Sequence, residues 1–175
     1  MKTTGVVRRI DDLGRIVIPK EIRRNLRIRD GESMEIFVDN DFITLKKYSS
    51  LDELTNISEL LVDSINNEIK KVVFITDMDR VIAFSGDDKK KFLFKTISNE
   101  LGELINERKG VKFSNSSKCL IEGVILEGNF VVYPIIANGD ASGSVVVASK
   151  DSNISDSEEQ LIKVVAEFLG KHIEA

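Results

Sequence analysis

Apolar and polar residues alternate at period two in several short runs of this chain and recur at three- and four-residue steps in others. The two periods divide it into strands and helices. Residues 6–10 (VVRRI) and 15–18 (RIVI) read as two β-branched strands about the turn Asp11-Asp12-Leu13-Gly14. Gly14 stands where a tight turn needs positive φ. Pro19 reads as the first residue of a short helix, with Ile22 and Leu26 on its apolar face and Arg23, Arg24 and Arg27 on its other sides. Residues 34–38 alternate again, Asp39-Asn40-Asp41 turns, and residues 42–45 return.

Beyond residue 50 the helical period dominates. Ser50 and Glu53 form a capping-box pair ahead of the stripe Leu54, Ile57, Leu61, Ile65 and Ile69, which Val62 widens. Strands follow at 71–76 and 80–84 about Asp77-Met78-Asp79. One helix over 89–107 carries Phe92, Ile97, Leu101, Leu104 and Ile105, and residues 108–118 read as a polar loop. Strands at 120–126, 129–137 and 143–149 are separated by hairpin turns at Glu127-Gly128 and Asn138-Gly139-Asp140. A last helix opens on Ser155 and Glu158 and carries Leu161, Val164, Val165, Phe168 and Leu169. The order is α-β-β-α-β-β-β-α. Its short connections predict an antiparallel sheet with helices against one side.

This pattern predicts three segments: residues 1–50, a linking or dimerisation helix at 51–70, and a domain at 71–175. Four short strands and one short helix bury too little apolar surface to be stable alone, and no disulfide or metal set compensates. The first segment is therefore expected to be an obligate dimer. The helix stripes at 54–69 and 161–169 predict a second interface between chains, and so a homotetramer.

Charge separates the same regions. The whole chain is −4, yet residues 1–29 hold nine basic and three acidic side chains. A basic hairpin-and-helix unit inside an acidic protein is an electrostatic footprint for nucleic acid. Its candidate contacts are Arg8, Arg9, Arg15, Arg23 and Arg24, with Lys2, Lys20 and Arg27 secondary. Each guanidinium is a planar fork that pairs bidentately with phosphate or with guanine O6 and N7. The plainer alternative is a solvated face balanced by Asp11, Asp12 and Glu21. With Cys119 the single cysteine and no long apolar run, the chain reads as cytoplasmic, without disulfide or membrane span.

Other signals are weaker. Residues 74–81 (FITDMDRV) resemble the nucleophile motif of haloacid-dehalogenase-type phosphatases, but the immediate return strand favours an aspartate-rich turn. His172 is the lone histidine and reads as a helix-terminal side chain. Cys119 reads as a small buried residue, and Lys89–Lys91 as a solvated face. No cluster converges to hold a metal or cofactor or to carry catalysis, so the chain is read as a non-enzyme.

The stretch GVVRRIDDLGRIVIPKEIRR (5–24), continued through ITLKKY (43–48), resembles AbrB-type transition-state regulators. The resemblance implies a swapped-hairpin barrel made by two chains, and it places the DNA-contact role on Arg8, Arg9, Arg15, Arg23 and Arg24. Arg27 stands where many relatives have a helix-ending glycine, which predicts a less defined helix terminus. In the second half, YPI (133–135), Asn138-Gly139-Asp140 and GSVVV (143–147) resemble the last strands of GAF domains. The fold class is thus a mainly β N-terminal swapped-hairpin barrel plus an α+β GAF-like domain with an antiparallel sheet and flanking helices. Together the halves are similar to sporulation regulators that activate some genes and repress others. The resemblance implies double-stranded DNA as partner, homo-oligomerisation, and a GAF-like domain that assembles chains or takes an unidentified small molecule. The alternative is the antitoxin of a toxin–antitoxin pair, which shares the swapped hairpin but usually appends a disordered tail.

Overall fold

The computed structural model describes residues 5–48, 55–87 and 89–174. The chain divides into two compact units, Met1–Tyr48 and Ser49–Ala175. The capping pair Ser50 and Glu53, the stripe residue Leu54 and Lys2 lie outside the described residues.

In the first unit, α1 (Lys20–Asn25) precedes a hairpin of β1 (Met34–Asp39) and β2 (Phe42–Lys47). Ile36 pairs with Leu45 and Val38 with Ile43, so these four aliphatic residues share one face of the hairpin, with Met34 and Lys47 paired at its end. The strands expected at 6–10 and 15–18 are not paired into a ladder here. The turn between them does form, closed by Asp11 N–H to the Arg15 carbonyl and by Gly14 N–H to the Asp11 carbonyl, both at 3.0 Å. A strand exists through its neighbour, and no ladder within the single chain takes these two in. Not one described residue of the unit is buried.

Two local details of α1 differ from expectation. Pro19 caps the helix from outside, with ψ 144°, rather than opening it. The helix end, expected to be loose because Arg27 replaces a glycine, is closed by a Schellman pair. Ile28 N–H reaches the Arg23 carbonyl at 2.7 Å and Arg27 N–H the Arg24 carbonyl at 3.1 Å. Arg27 itself takes the left-handed conformation, φ 53°.

The second unit comprises α2 (Thr55–Ile69), β3 (Val72–Thr76), β4 (Val81–Ser85), α3 (Lys89–Phe92), α4 (Asn99–Asn106), β5 (Val111–Ile121), β6 (Val124–Ala137), β7 (Asp140–Ser149) and α5 (Asp156–Ile173). Its five strands form an antiparallel sheet in the order β4-β3-β7-β6-β5. Val73, Ile75, Val131, Val145 and Val147 point to one face and meet Val62 and Ile65 of α2 and Ile162, Val165 and Leu169 of α5. Their neighbours Phe74, Phe130, Val132 and Val146 point to the other and meet Leu101 and Ile105 of α4. Strands apolar on both faces require cover on both. The expectation of helices on one side is thereby corrected.

Four further expectations change. The single helix at 89–107 is two short helices. Phe94, at φ 63°, turns the chain out of α3, and residues 95–97 add sheet-type bonds, Val81 N–H to the Lys95 carbonyl at 2.9 Å and an Ile97–Ile121 bridge. Ser98 then starts α4 by accepting Leu101 N–H at 3.1 Å. Residues 108–118 are not a loop, because residues 111–118 belong to β5, an edge strand with no buried residue over that stretch. The β5–β6 turn falls at Glu122-Gly123, and Gly128 instead lies inside β6 opposite Ser116. Finally, α5 buries Ile162, Val165, Ala166 and Leu169 but leaves Val164 and Phe168 exposed. Its capping box at Ser155 and Glu158 forms as the sequence predicts.

Candidate nucleic-acid interface

The arginine set is arranged by one turn and one helix. Arg8 and Arg9 precede the Asp11–Gly14 turn and Arg15 leaves it, so all three lie at the same loop. Arg23 and Arg24 fall in the last turn of α1, where cations are favoured by the helix dipole. Arg8, Arg9, Arg15 and Arg24 are exposed and Arg23 is half-buried. The arginines are not equivalent. Arg23 Nη1 donates to Asp30 Oδ1 at 2.6 Å, tying α1 to the loop that follows it. Arg15 Nε donates to Asp11 Oδ2 at 2.7 Å. Arg8 Nη1 reaches the Val7 carbonyl at 3.4 Å, a long bond beside the other two.

The loop after α1 is held by acids whose work is not visible in the sequence pattern. Glu32 accepts Arg29 N–H at 2.7 Å and pairs with Lys47 at 3.5 Å, while Lys47 Nζ also donates to the Arg27 carbonyl at 2.9 Å. Asp11 is the other case. Its Oδ1 accepts the Leu13 and Arg15 backbone N–H groups at 3.1 and 2.7 Å. The bonds from the Arg15 backbone and side chain hold its carboxyl below the ordinary range. An aspartate three residues before a glycine is the local signal that points to this role.

The second unit contains a cavity of about 310 Å³ on the α3–α4 face of the sheet. Phe74, Phe84, Phe92 and Phe130 form part of its wall, and Asp87, Glu127 and Lys150 also line it. Phe84 stacks between Phe74 at 5.9 Å and Phe92 at 5.0 Å, centroid to centroid.

The phosphatase-like motif is a hairpin turn. Asp77 Oδ1 accepts the Asp79 and Arg80 N–H groups, each at 2.7 Å. Burial raises the Asp77 pKa, against the pull of those bonds. Cys119 is half-buried rather than buried, its thiol 3.5 Å from the Ile121 carbonyl. His172 stacks on Phe168 at 5.9 Å along α5. Lys89 lies 3.6 Å from Glu59 on α2, and Lys91 lies over the Phe92 ring.

Comparison with known proteins agrees with this two-part build. Residues 53–174 match the family model described as "Stage V sporulation protein T C-terminal, transcription factor". Residues 7–52 match "Antidote-toxin recognition MazE, bacterial antitoxin". The chain is 45% identical to stage V sporulation protein T of Bacillus subtilis (strain 168), over 99% of each chain. Its N-terminal part is similar to the transition state regulatory protein AbrB of the same organism, 56% identical over 48 residues, 27% of this chain and 50% of that one. In fold, the second unit is similar to the GAF domain of an Acinetobacter phosphoenolpyruvate-protein phosphotransferase, with TM-score 0.59, 17% identity, and 73% and 84% of the two chains covered. With an AbrB-type N-terminal unit joined to a GAF-like unit and a full-length relative at 45% identity, the chain belongs to the stage V sporulation protein T family of transcription factors.

Proposed function

We propose that this chain regulates sporulation genes by occupying promoter DNA as a homo-oligomer, activating at some sites and repressing at others. Residues 1–50 form the DNA-binding unit with a second copy, and Arg8, Arg9, Arg15, Arg23 and Arg24 grip the duplex. Residues 51–70 and 71–175 supply assembly and sensing. The carrying observation is the density of arginine on a closed turn and helix, within a unit whose described residues bury no core of their own, in a chain of this family. Exposed Leu60 on α2 and exposed Val164 and Phe168 on α5 support a second interface between chains, and with it a tetramer. The phenylalanine-walled cavity supports capture of a small ligand with an apolar body. The chain acts by occupancy and not by catalysis, and its place is the cytoplasm.

The antitoxin reading draws on the match of residues 7–52 to an antitoxin family. A packed five-stranded domain stands where such proteins usually carry a disordered tail, so the regulator reading is preferred.

Fluorescence anisotropy across a salt series tests it, comparing wild type with Arg23→Ala/Arg24→Ala. Wild type is expected to bind duplex DNA with log affinity falling linearly in log salt. The double variant binds more weakly, its slope shallower by about 0.9 for each phosphate it no longer neutralises. A wild-type chain that binds no duplex at low salt would refute the reading.

A further inference from the structure

Asp11 and Asp12 are adjacent acids in the middle of the arginine patch, and acids there should oppose DNA binding. Their bonding differs sharply. Asp11 uses both carboxylate oxygens, Oδ1 on the Leu13 and Arg15 backbone N–H groups and Oδ2 on Arg15 Nε. Its own N–H and carbonyl close the turn on Arg15 and Gly14, both at 3.0 Å. Asp12 is exposed, and the bonds that close the turn run through Asp11 instead. The Arg15 side chain is bound to Asp11 through Nε, the inner nitrogen of the fork, at 2.7 Å, and remains 70% exposed. Nη1 and Nη2 are the pair that grips a phosphate or a guanine edge end-on.

We propose that Asp11 is a positioning residue for DNA recognition: it ties Arg15 Nε to the backbone of its own turn, so that the guanidinium reaches DNA with Nη1 and Nη2 already aimed. The proposal rests on the regulator reading above. An arginine in water samples many rotamers, and one locked by a carboxylate partner loses less freedom on binding. Asp11 thus uses its charge to aim, and its gain lies in sequence choice rather than in bulk attraction.

Charge alone and positioning predict opposite signs. Asp11→Asn and Asp12→Asn each remove one negative charge per chain, one residue apart. The side-chain amide oxygen introduced by D11N still accepts the two backbone N–H groups, so the turn is retained while the ionic hold on Arg15 is lost. The experiment uses full-length protein and two duplexes of equal length, one selected by wild type from a randomised pool and one unselected. Both variants are expected to bind the unselected duplex at least as tightly as wild type. On the selected duplex D12N matches or exceeds wild type, whereas D11N falls about tenfold. If Asp11 acts through Arg15, adding D11N to Arg15→Gln costs nothing further on the selected duplex.

D11N behaving like D12N on both duplexes would overturn the proposal. So would full additivity with R15Q, or a D11N chain whose circular dichroism or oligomer mass shows that it no longer folds or assembles. Failure of the underlying reading looks different: wild type would then enrich no sequence from the pool at all.

Discussion

The two units of this chain are built of similar residues and reach opposite ends. In the second, alternate β-residues face two helical layers, and Phe74, Phe130, Val131, Val146 and Val147 are all buried. In the first, the same alternation leaves Ile36 64%, Val38 75% and Ile43 69% exposed, on one face of one hairpin. A polar surface strand would need no explanation. An aliphatic face of Ile36, Val38, Ile43 and Leu45 left open to solvent does. Amphipathic pattern records that a face will be covered, and it is silent on whether the cover comes from the same chain.

That contrast breaks most directly at Ile43. A charge placed on a solvent-facing strand position usually changes stability by less than about 0.5 kcal/mol. If a second chain covers the face, Ile43→Asp buries an unpaired carboxylate and costs on the order of 3 kcal/mol or more. We expect I43D to abolish the first unit's assembly, and with it duplex binding, while circular dichroism still reports an intact second unit. In wild type the low-temperature unfolding transition should also move with concentration, by about 1.4 kcal/mol per tenfold dilution. Unchanged oligomer mass and DNA affinity in I43D would mean that the exposed face is simply a surface.

The distinction between local and non-local causes also decides what is legible in the sequence. The Ser155–Glu158 capping box, the described part of the α2 stripe (Ile57, Leu61, Val62, Ile65 and Ile69) and the Asn138-Gly139 turn are each settled within a few residues, and sequence and structure agree on them. The arginine set is read from the sequence as a density of charge, and the structure places it about one turn and the end of one helix. The two diverge where a distant partner decides. Residues 111–118 form an edge strand that stays exposed or half-buried, and such a polar run without its neighbours looks like a loop. The apolar stripe of α5 includes Val164 and Phe168 in sequence but not in burial, because periodicity finds apolar residues and not the angle at which a sheet meets them. Asp11 is a bare charge in the sequence, whereas its role in the fold is that of an acceptor.

Gly128 is a case of the same kind and gives the next-largest effect. Glycine beside a charged residue suggests a hairpin, but the position is inside β6, where φ is 128° and an added Cβ would lie 2.3 Å from the Ser149 carbonyl oxygen. The glycine is there for close approach of backbone to backbone. Gly128→Ala should destabilise the second unit by about 2 kcal/mol. Chemical denaturation followed by circular dichroism should show only the second unit's transition moved. A shift of both transitions would make the two units one cooperative body, and their difference in burial would then have no separate energetic meaning.

The smallest effect concerns a positive-φ residue in the other unit, with the sign reversed. Arg27 sits at φ 53° in a Schellman terminus whose two bonds are both made. A residue with a Cβ is strained in that conformation by about 1 kcal/mol, and glycine is not. The hydrogen bonds that close the helix are backbone bonds and survive the substitution, as does the Arg27 carbonyl that accepts from Lys47. Relief of that strain favours Arg27→Gly by somewhat less than about 1 kcal/mol, since glycine also gains freedom in the unfolded chain, and the side chain's own interactions subtract from it. The substitution should cost DNA affinity only through the lost cation, a salt-slope change of about 0.9 or less per chain. A strained arginine kept beside Arg23 and Arg24 makes sense if its charge outweighs its strain. Stability rising while affinity falls would establish that trade, and stability falling would mean that the side chain of Arg27 holds the unit together.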